Sequence, residues 1–462
     1  MFFYVFLVIS FGVYIGAFLN LFSASVVFTN QVSLLIYIVI VFWYLKRNRQ
    51  GVFFCPEVLY FIFSFIISFF DLAVLNYTSQ YSSFFSLFEA IDKSRYLSML
   101  GLILFVSGLE FGNRRAKYSL YVNHKNKYRI FPGFISSTFH VCVLCLMVLF
   151  YLTGVYSIFF KYTAGSSDGA SNMGWVCTST CLMVSTVIEF IRLKKRGVGS
   201  NKFLKNVNKV YLFNVIAFST LLLLTGNRGD LLCIVLPPII LFYLFIHKLS
   251  NKIIILFSVV GLALFVVLGH TRNSDLDSSD VVEELDLYGV FRDFGAAYIN
   301  QKGLIQYADS KGFYGLSTGV NTAISSVPFL GGLILGDINE TVESNTNNLT
   351  TYQWQVKGKE DSGLGSSLYG DLYYNGGLLL FIVYMFLLGS FLSNVYSKLY
   401  NGSFVSPVAL IVFLWVFSNC IYLQRAPYFY LFRYIGYSLT IYFLYYLFAA
   451  FACKIIDKCD LS

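Results

Sequence analysis

The sequence predicts an all-α integral membrane protein, and three observations carry that prediction. Of its 462 residues, 57% are hydrophobic and only 12% are charged, whereas soluble domains carry about a quarter charged residues. The mean hydropathy is +0.68. The apolar residues also fall in runs close to the roughly 20 residues that an α-helix needs to cross a bilayer.

About twelve such runs divide the chain, and each predicts one transmembrane helix. They lie at residues 2–20, 25–45, 52–75, 96–111, 134–157, 173–191, 210–226, 231–247, 253–270, 370–392, 403–423 and 434–452. Pro237 and Pro238 lie inside the eighth run and predict a kink there. The predicted organisation is residues 1–270 with the first nine helices, residues 271–369 as one large loop, and residues 370–462 with the last three helices.

The segments between the predicted helices alternate in charge. Most of the 33 Lys and Arg lie on one side, in segments such as 46–49, 114–129 and 192–209. Short basic loops remain in the cytoplasm, so these segments and both termini are predicted to be cytoplasmic. The net charge of +9 is therefore a topology signal and gives no reason to expect nucleic acid.

The nine cysteines lie in apolar runs or beside basic segments, which is typical of small core residues rather than of a disulfide framework. The Cys142/Cys145 and Cys177/Cys181 pairs have a metal-like spacing, but they lie in predicted membrane helices without a histidine cluster. The sequence also lacks a Gly-rich phosphate loop, an HExxH motif and a calcium loop. We expect neither a metal nor another cofactor.

The large loop, residues 271–369, lies on the predicted outer side and is too long to be a simple connection. Residues 281–299 have the spacing of an amphipathic helix. Residues 316–335 are apolar enough to lie along the membrane surface or to re-enter it. Residues 336–366 are polar, and the sequence predicts a mobile flap there. The loop is thus predicted to be partly helical.

Arginines on the predicted outer side are concentrated in three places, although positive charge is otherwise depleted there. They are Arg228 in LLLLTGNRGDLL, Arg272 and Arg292 in the large loop, and Arg425 and Arg433 in QRAPYFYLFR. Guanidinium groups bind phosphate in bidentate fashion, so we expect these arginines to hold a lipid-linked pyrophosphate. The alternative is that each reaches lipid headgroups or pairs with an acid, as Arg228 would with Asp230. That alternative weighs most for Arg95 and Arg433.

Several of these features together resemble the O-antigen polymerase family, Wzy. The resemblance rests on the TGNRGDLL turn, on the long outer loop before the third-last span and on GDLYYNGGLLLFIVY at 370–384. In layout it covers most of the chain. Arg292 to Gly303 and Arg425 to Gly436 also fit the spacing of Arg, ten residues and Gly that some members carry. The resemblance implies a GT-C-like glycosyltransferase in the bacterial inner membrane, acting in lipopolysaccharide biosynthesis.

The reaction that the resemblance implies transfers a growing glycan from undecaprenyl pyrophosphate to the terminal sugar hydroxyl of an incoming undecaprenyl-pyrophosphate-linked repeat unit. It needs cations at the leaving pyrophosphate, a site for an oxocarbenium-like carbon and a base for the acceptor hydroxyl. Besides this lipid-linked oligosaccharide, the implied partners are membrane lipid and a protein that regulates chain length.

The remaining roles have candidates on the same side. His270, Asp230 and Glu283 are the preferred candidates for the base, with a structural histidine and a solvated acidic face as the alternatives. The further carboxylate candidates are Glu284, Asp293 and Asp371. Tyr373, Tyr374 and Tyr428 are candidates for stacking on sugar rings, although Tyr residues also form belts at membrane boundaries. Asp371 is expected to form a salt bridge with an arginine, because a carboxylate at that depth needs a partner.

Two other functions share part of this layout. A lipid-linked oligosaccharide flippase would have short loops, charges deep within its spans and matched halves. An O-antigen ligase would use a loop histidine, a role that only His270 offers here. The single long loop and the few deep charges favour the polymerase.

Overall fold

The computed structural model describes residues 2–21, 26–48, 54–70, 91–121, 133–154, 169–224, 228–254, 256, 287–327, 333–334, 343, 345–356, 365–403 and 405–459. This part of the chain is helical and contains no strand, as the composition predicts. Its helices are α1 (Phe2–Phe18), α2 (Val26–Asn48), α3 (Pro56–Ser64), α4 (Ile91–Tyr121), α5 (Gly133–Leu152), α6 (Gly169–Lys195), α7 (Phe203–Asn206), α8 (Lys209–Leu224), α9 (Arg228–Phe245), α10 (Leu287–Lys311), α11 (Ser317–Ser325), α12 (Thr346–Val356), α13 (Leu368–Tyr400), α14 (Pro407–Ser418) and α15 (Tyr430–Cys459).

Five helical segments within the described residues are long and apolar enough to cross a membrane. They are Lys93–Lys117, Gly133–Leu152, Gly174–Lys195, Leu368–Tyr400 and Tyr430–Lys454. A sixth would join Ser200–Asn206 to Lys209–Leu224 across a 90° bend. Four shorter apolar helices, Phe2–Phe18, Pro56–Phe69, Gly229–Phe245 and Pro407–Ser418, lie in other predicted spans. The count of about twelve and the GT-C fold stay predictions, and most of the ninth predicted span, 253–270, lies outside the described residues.

The centre of the fold is the pair formed by α4 and α13. Gly108 and Gly112 of α4 face α13, and a Cβ at either position would overlap a backbone carbonyl oxygen, of Phe386 and Ser390 respectively. In the same way, Gly389 of α13 fits against the carbonyl of Phe105. Small residues at this spacing allow two membrane helices to approach backbone to backbone. The residue numbers at this contact increase together along both helices, from Gly108 and Phe386 to Gly112 and Ser390, so the two helices run in the same direction.

α13 is broken near its beginning by two glycines. Gly377 has φ 62° and ψ −158°, a combination that favours glycine, and the break separates residues 368–375 from the long spanning part of the helix. The backbone N–H of Tyr314 donates to the Tyr374 carbonyl at 3.0 Å, which satisfies a group that the break releases. The short helical segment 368–375 carries Asp371, Tyr373 and Tyr374.

The described parts of the large loop, residues 271–369, include the helices α10, α11 and α12. The helix predicted over 281–299 is observed from Leu287 and continues to Lys311. Thr346–Val356, within the segment 336–366 predicted as a mobile flap, form α12, and the mobility of that segment stays a prediction. The buried Trp354 anchors this helix, because its indole N–H donates to Asn300 Oδ1 at 2.8 Å. One large aromatic side chain with a polar partner thus outweighs the surrounding polar composition.

α11 lies beside the first turns of α15. A Cβ at Gly319 would overlap the ring of Tyr428, and one at Gly436 would overlap Ser326. The residue numbers at these contacts increase together, from Gly319 and Tyr428 to Ser326 and Gly436, so α11 and α15 run in the same direction. Val320 of α11 is exposed. This arrangement fits the predicted surface or re-entrant segment 316–335, whose depth in the bilayer stays a prediction.

Carboxylates on the predicted cytoplasmic side pair locally. Glu189 accepts a hydrogen bond from Arg192 Nε at 2.9 Å and lies 3.5 Å from His140 Nε2. Glu110 accepts from the Tyr4 hydroxyl at 2.7 Å and lies 4.0 Å from Arg47. These contacts join neighbouring helices, so the carboxylates have a structural role.

Candidate functional site

Of the acidic groups that the structure describes on the predicted outer side, Asp371 is the most completely enclosed. It is 0% exposed, and its carboxylate accepts hydrogen bonds from the Tyr428 backbone N–H at 2.7 Å and from Asn375 Nδ2 at 2.9 Å. The Thr346 side chain adds a third hydrogen bond. Among the described residues these groups take the place of an arginine, so the predicted salt bridge of Asp371 is wrong. A buried carboxylate is stabilised here by hydrogen-bond donors alone.

The turn that Asp371 contacts carries Arg425. We call residues 423–428 the Arg425 turn; it begins with the 3₁₀ turn Leu423–Arg425. The carbonyl oxygen of Arg425 accepts a hydrogen bond from the Ser366 N–H at 3.1 Å. With the bond from Tyr428 to Asp371, the turn is fixed to segment 365–371 at Arg425 itself and again three residues later, at Tyr428. The backbone of this arginine is therefore firmly positioned.

Segment 365–371 is itself held by the large loop. The Gly365 carbonyl accepts hydrogen bonds of 2.8 Å from Asn300 Nδ2 and from the Thr350 hydroxyl. Gln301, next to Asn300, donates to the Ser94 carbonyl at 2.8 Å and to the Ser98 hydroxyl at 3.1 Å. Since Asn300 and Gln301 are both 1% exposed, a buried polar layer connects α4, α10, α12 and the Arg425 turn. The only sequence signal for this layer is a set of amides inside an amphipathic helix.

Residues 228–232 of the conspicuous TGNRGDLL stretch form the beginning of α9 and lie close to the start of the Arg425 turn. A Cβ at Gly229 would be 3.6 Å from the ring of Tyr422, the residue before the Arg425 turn. Asp230 accepts a hydrogen bond from the Trp175 indole N–H, and an acidic residue in the first turn of a helix also suits the helix dipole. The backbone of one predicted arginine-bearing segment therefore lies beside the side chain that directly precedes the other.

The structure describes the side chains of some of the predicted arginines and not of the others. Arg425 and Arg433 are partly buried, and the Arg433 guanidinium lies 5.8 Å from the Tyr437 ring centroid. For Arg228 and Arg292 the structure describes the backbone only, and Arg292 lies about 12 Å along α10 before Asn300. Arg272, His270 and Glu283 lie outside the described residues. Convergence of all these arginines on one pyrophosphate thus stays a prediction.

Two buried cations on the predicted outer side were not among the candidates. Arg95 is 0% exposed; it donates to Asn30 Oδ1 and lies 5.0 Å from the Tyr96 ring centroid. This position is inside the protein rather than at lipid headgroups. Lys302 is 1% exposed, with its Nζ 4.7 Å from the Tyr298 ring centroid. Sequence alone gives no signal for the burial of Lys302, because it follows two other polar residues.

The three predicted sugar-stacking tyrosines are buried within the protein. Tyr373 donates to Asp309 at 2.9 Å, and Tyr374 donates to the Glu343 carbonyl at 3.1 Å. The Tyr428 ring packs on Tyr384 at 6.1 Å between centroids. In this conformation the rings contact protein groups, and a role in sugar stacking stays a prediction.

The pKa of the Tyr428 hydroxyl is raised to about 12. Burial is the main cause, and the nearby Asp371 carboxylate adds to it, whereas a hydrogen bond from the Gly319 backbone N–H acts in the opposite direction. The hydroxyl is therefore protonated at neutral pH and cannot serve as a base there.

The described residues contain no cluster of His, Cys, Asp and Glu that could hold a metal ion. The groups around the Arg425 turn are a guanidinium, amides, hydroxyls and one enclosed carboxylate. Such groups recognise anions and hydroxyl-rich molecules.

Comparison with known protein families gives a match over almost the whole chain. The family model described as O-antigen polysaccharide polymerase Wzy matches residues 1–458, essentially the whole chain. The resemblance predicted from the sequence is confirmed. No curated protein and no solved structure matches the chain.

Proposed function

The chain belongs to the O-antigen polysaccharide polymerase Wzy family, and on that premise we propose that it joins lipid-linked oligosaccharide units by glycosyl transfer. Membership implies polymerisation of O-antigen repeat units. The proposed donor is a growing glycan on undecaprenyl pyrophosphate. The proposed acceptor is the terminal sugar hydroxyl of an incoming undecaprenyl-pyrophosphate-linked unit.

The observation that best supports this proposal is the fixation of the Arg425 turn. Hydrogen bonds at the Arg425 carbonyl and at the Tyr428 N–H join the turn to segment 365–371, and the first turn of α9, which includes Arg228, lies against Tyr422. A binding site for a leaving pyrophosphate gains most from cations that are already in place, because no reorganisation is then needed in the transition state. An arginine on a firmly held turn meets that requirement.

In the proposed reaction, the bond between the anomeric carbon and the pyrophosphate oxygen breaks. A bond forms between that carbon and the acceptor oxygen, the acceptor proton passes to a base, and undecaprenyl pyrophosphate leaves. Arg228, Arg272, Arg292, Arg425 and Arg433 are the proposed ligands of the pyrophosphate. The proposed base is one of His270, Asp230 and Glu283, of which Asp230 has a described side chain.

The proposed site is the periplasmic face of the inner membrane, with both chain termini in the cytoplasm. A lipid substrate requires a protein in the bilayer, and the apolar helices of the described residues meet that requirement. The proposed partners are the lipid-linked oligosaccharide, membrane lipid and a protein that regulates chain length.

The lipopolysaccharide ladder of a strain that lacks this protein tests the proposal. We expect bands with a single repeat unit, because addition of further units stops while ligation continues. Complete absence of O-chain would instead indicate a flippase or a ligase. An intact ladder would contradict all three functions.

Variants of Arg425 then test the site. Arg425→Ala should give single-unit chains at a normal protein level, and Arg425→Lys should restore longer chains only in part, because lysine lacks the bidentate geometry. Arg196→Ala is a matched control, since Arg196 is an exposed arginine on the predicted cytoplasmic side. Normal ladders from both Arg425 variants would contradict its proposed role.

A further inference from the structure

The side chain of Gln424 has an unusual environment. The residue is 2% exposed, and within the part of the chain that the structure describes neither Nε2 nor Oε1 of its amide has a hydrogen-bond partner. Burial of an amide without partners is costly, and most buried polar side chains in proteins are hydrogen-bonded. An apolar side chain of similar size would be more stable at this position. The glutamine therefore needs an explanation other than packing.

The position of Gln424 suggests that explanation. It is the central residue of the 3₁₀ turn Leu423–Arg425 and the chain neighbour of Arg425, so the two Cα atoms are about 3.8 Å apart. This turn packs against α10 and α13, and its two hydrogen bonds to segment 365–371 hold it there. The fold thus imposes the burial of the amide directly beside the proposed pyrophosphate ligand.

A second buried amide in the same region has one atom without a hydrogen-bond partner among the described residues. Asn375 is 2% exposed and donates through Nδ2 to Asp371, but its Oδ1 accepts no hydrogen bond. Asp371 in turn binds Tyr428, at the end of the Arg425 turn. Two buried amides with unused hydrogen-bonding capacity therefore lie on the elements that hold Arg425.

We propose that Gln424 binds hydroxyl groups of the sugar attached to the pyrophosphate, and that this sugar supplies the partners its amide lacks. The inference rests on the proposed function and adds a specificity residue to it. A glutamine amide offers two N–H donors and one acceptor oxygen, a set that pairs with neighbouring hydroxyls of a sugar ring. A sugar next to the diphosphate is within reach, because Gln424 adjoins Arg425.

The proposal explains why the amide is kept at a cost to stability. A site whose buried polar groups are satisfied only by the correct ligand discriminates strongly against ligands without those hydroxyls. Because both amide atoms are enclosed, binding requires a local movement of Gln424 or of its neighbours. The substrate-free protein is then less stable than it would be with an apolar residue, and bound substrate restores the missing hydrogen bonds.

Gln424→Leu tests this inference in the full-length protein in lipid nanodiscs. The measurement is the unfolding temperature, alone and with each of two probes: lipid-linked repeat unit and undecaprenyl pyrophosphate without sugar. We expect wild type to be stabilised more by the repeat unit than by the sugar-free lipid. Gln424→Leu should unfold at the wild-type temperature or above, respond to both probes equally, and polymerise about tenfold more slowly, since one hydrogen bond is commonly worth that factor.

Ser418→Ala is the matched control, because the Ser418 hydroxyl is also buried without a partner and lies at the end of the preceding helix, α14. It should keep the extra response to the repeat unit and the wild-type rate. Equal probe responses in wild type, or a normal rate and full response in Gln424→Leu, would overturn the inference. If wild type makes no polymer from repeat units, the proposed function itself fails, which is a separate result.

Discussion

The carboxylate of Asp371 accepts a hydrogen bond of 2.7 Å from the backbone N–H of Tyr428. This bond crosses from the broken first part of α13 to the turn that leads into α15. With the bond from Ser366 N–H to the Arg425 carbonyl, it determines where Arg425 lies. A buried carboxyl group here positions a neighbouring segment of the backbone and is not itself a partner of the arginine.

Asp371→Leu should therefore reduce polymerisation about tenfold or more, because the Tyr428 N–H and the Asn375 amide lose their acceptor, and a buried donor left without one costs roughly 1–3 kcal/mol. Asp371→Asn should be intermediate, since it keeps one acceptor oxygen. The measurement is the initial rate at several concentrations of lipid-linked repeat unit. A role in positioning Arg425 predicts a higher KM for the donor at a normal protein level. Loss of protein from the membrane without a change in KM would point to folding alone.

The glycine break in α13 predicts the effect of a small substitution. Gly377→Ala should lower both the unfolding temperature and the rate of polymerisation, because alanine disfavours φ 62° and its Cβ would lie 3.1 Å from the Phe313 ring. The measurement is thermal unfolding of the purified protein together with the lipopolysaccharide ladder. Gly402→Ala, also at positive φ but with open space around it, is the control for backbone strain alone. Equal losses in both variants would show that the Phe313 contact contributes nothing.

The α4–α13 contact predicts a large effect on stability. Gly108→Val should abolish accumulation of folded protein, since a side chain at this position would force the two helix backbones apart. Gly12→Val should be tolerated, because no atom lies within 4 Å of a Cβ at Gly12. The measurement is the amount of monodisperse protein extracted from membranes. Normal extraction of Gly108→Val would contradict the central position of this contact.

The hydroxyl of Tyr428 predicts a defined pH dependence. Its pKa is raised by burial to about 12, above the ordinary value near 10. The folded state thus favours the protonated form, so this contribution to stability is complete below about pH 10 and is lost as the pH rises towards 12. Tyr428→Phe should leave the pH dependence of unfolding unchanged between about pH 6 and 9 and make it shallower above about pH 10. A change near neutral pH would contradict the raised pKa.

The sequence alone determined the class of the protein. Its many apolar runs of spanning length indicate membrane helices, and the charge pattern between them gives a topology prediction. It also predicted the amphipathic helix that is observed as Leu287–Lys311, because helical periodicity is local. The TGNRGDLL and GDLYYNGG stretches indicated the family for the same reason: their residues are neighbours in the chain.

Only the tertiary structure decided how the distant segments combine. The partners of Asp371 come from α12, α13 and the turn before α15, and no sequence pattern links residues so far apart. The sequence predicted an ion pair because a buried carboxylate needs compensation, but it could not show that a backbone N–H and two polar side chains would provide it. Likewise, the unsatisfied amide of Gln424 becomes visible only when its surroundings are known. Burial and hydrogen bonding depend on the whole fold, whereas hydropathy and periodicity depend on the local chain.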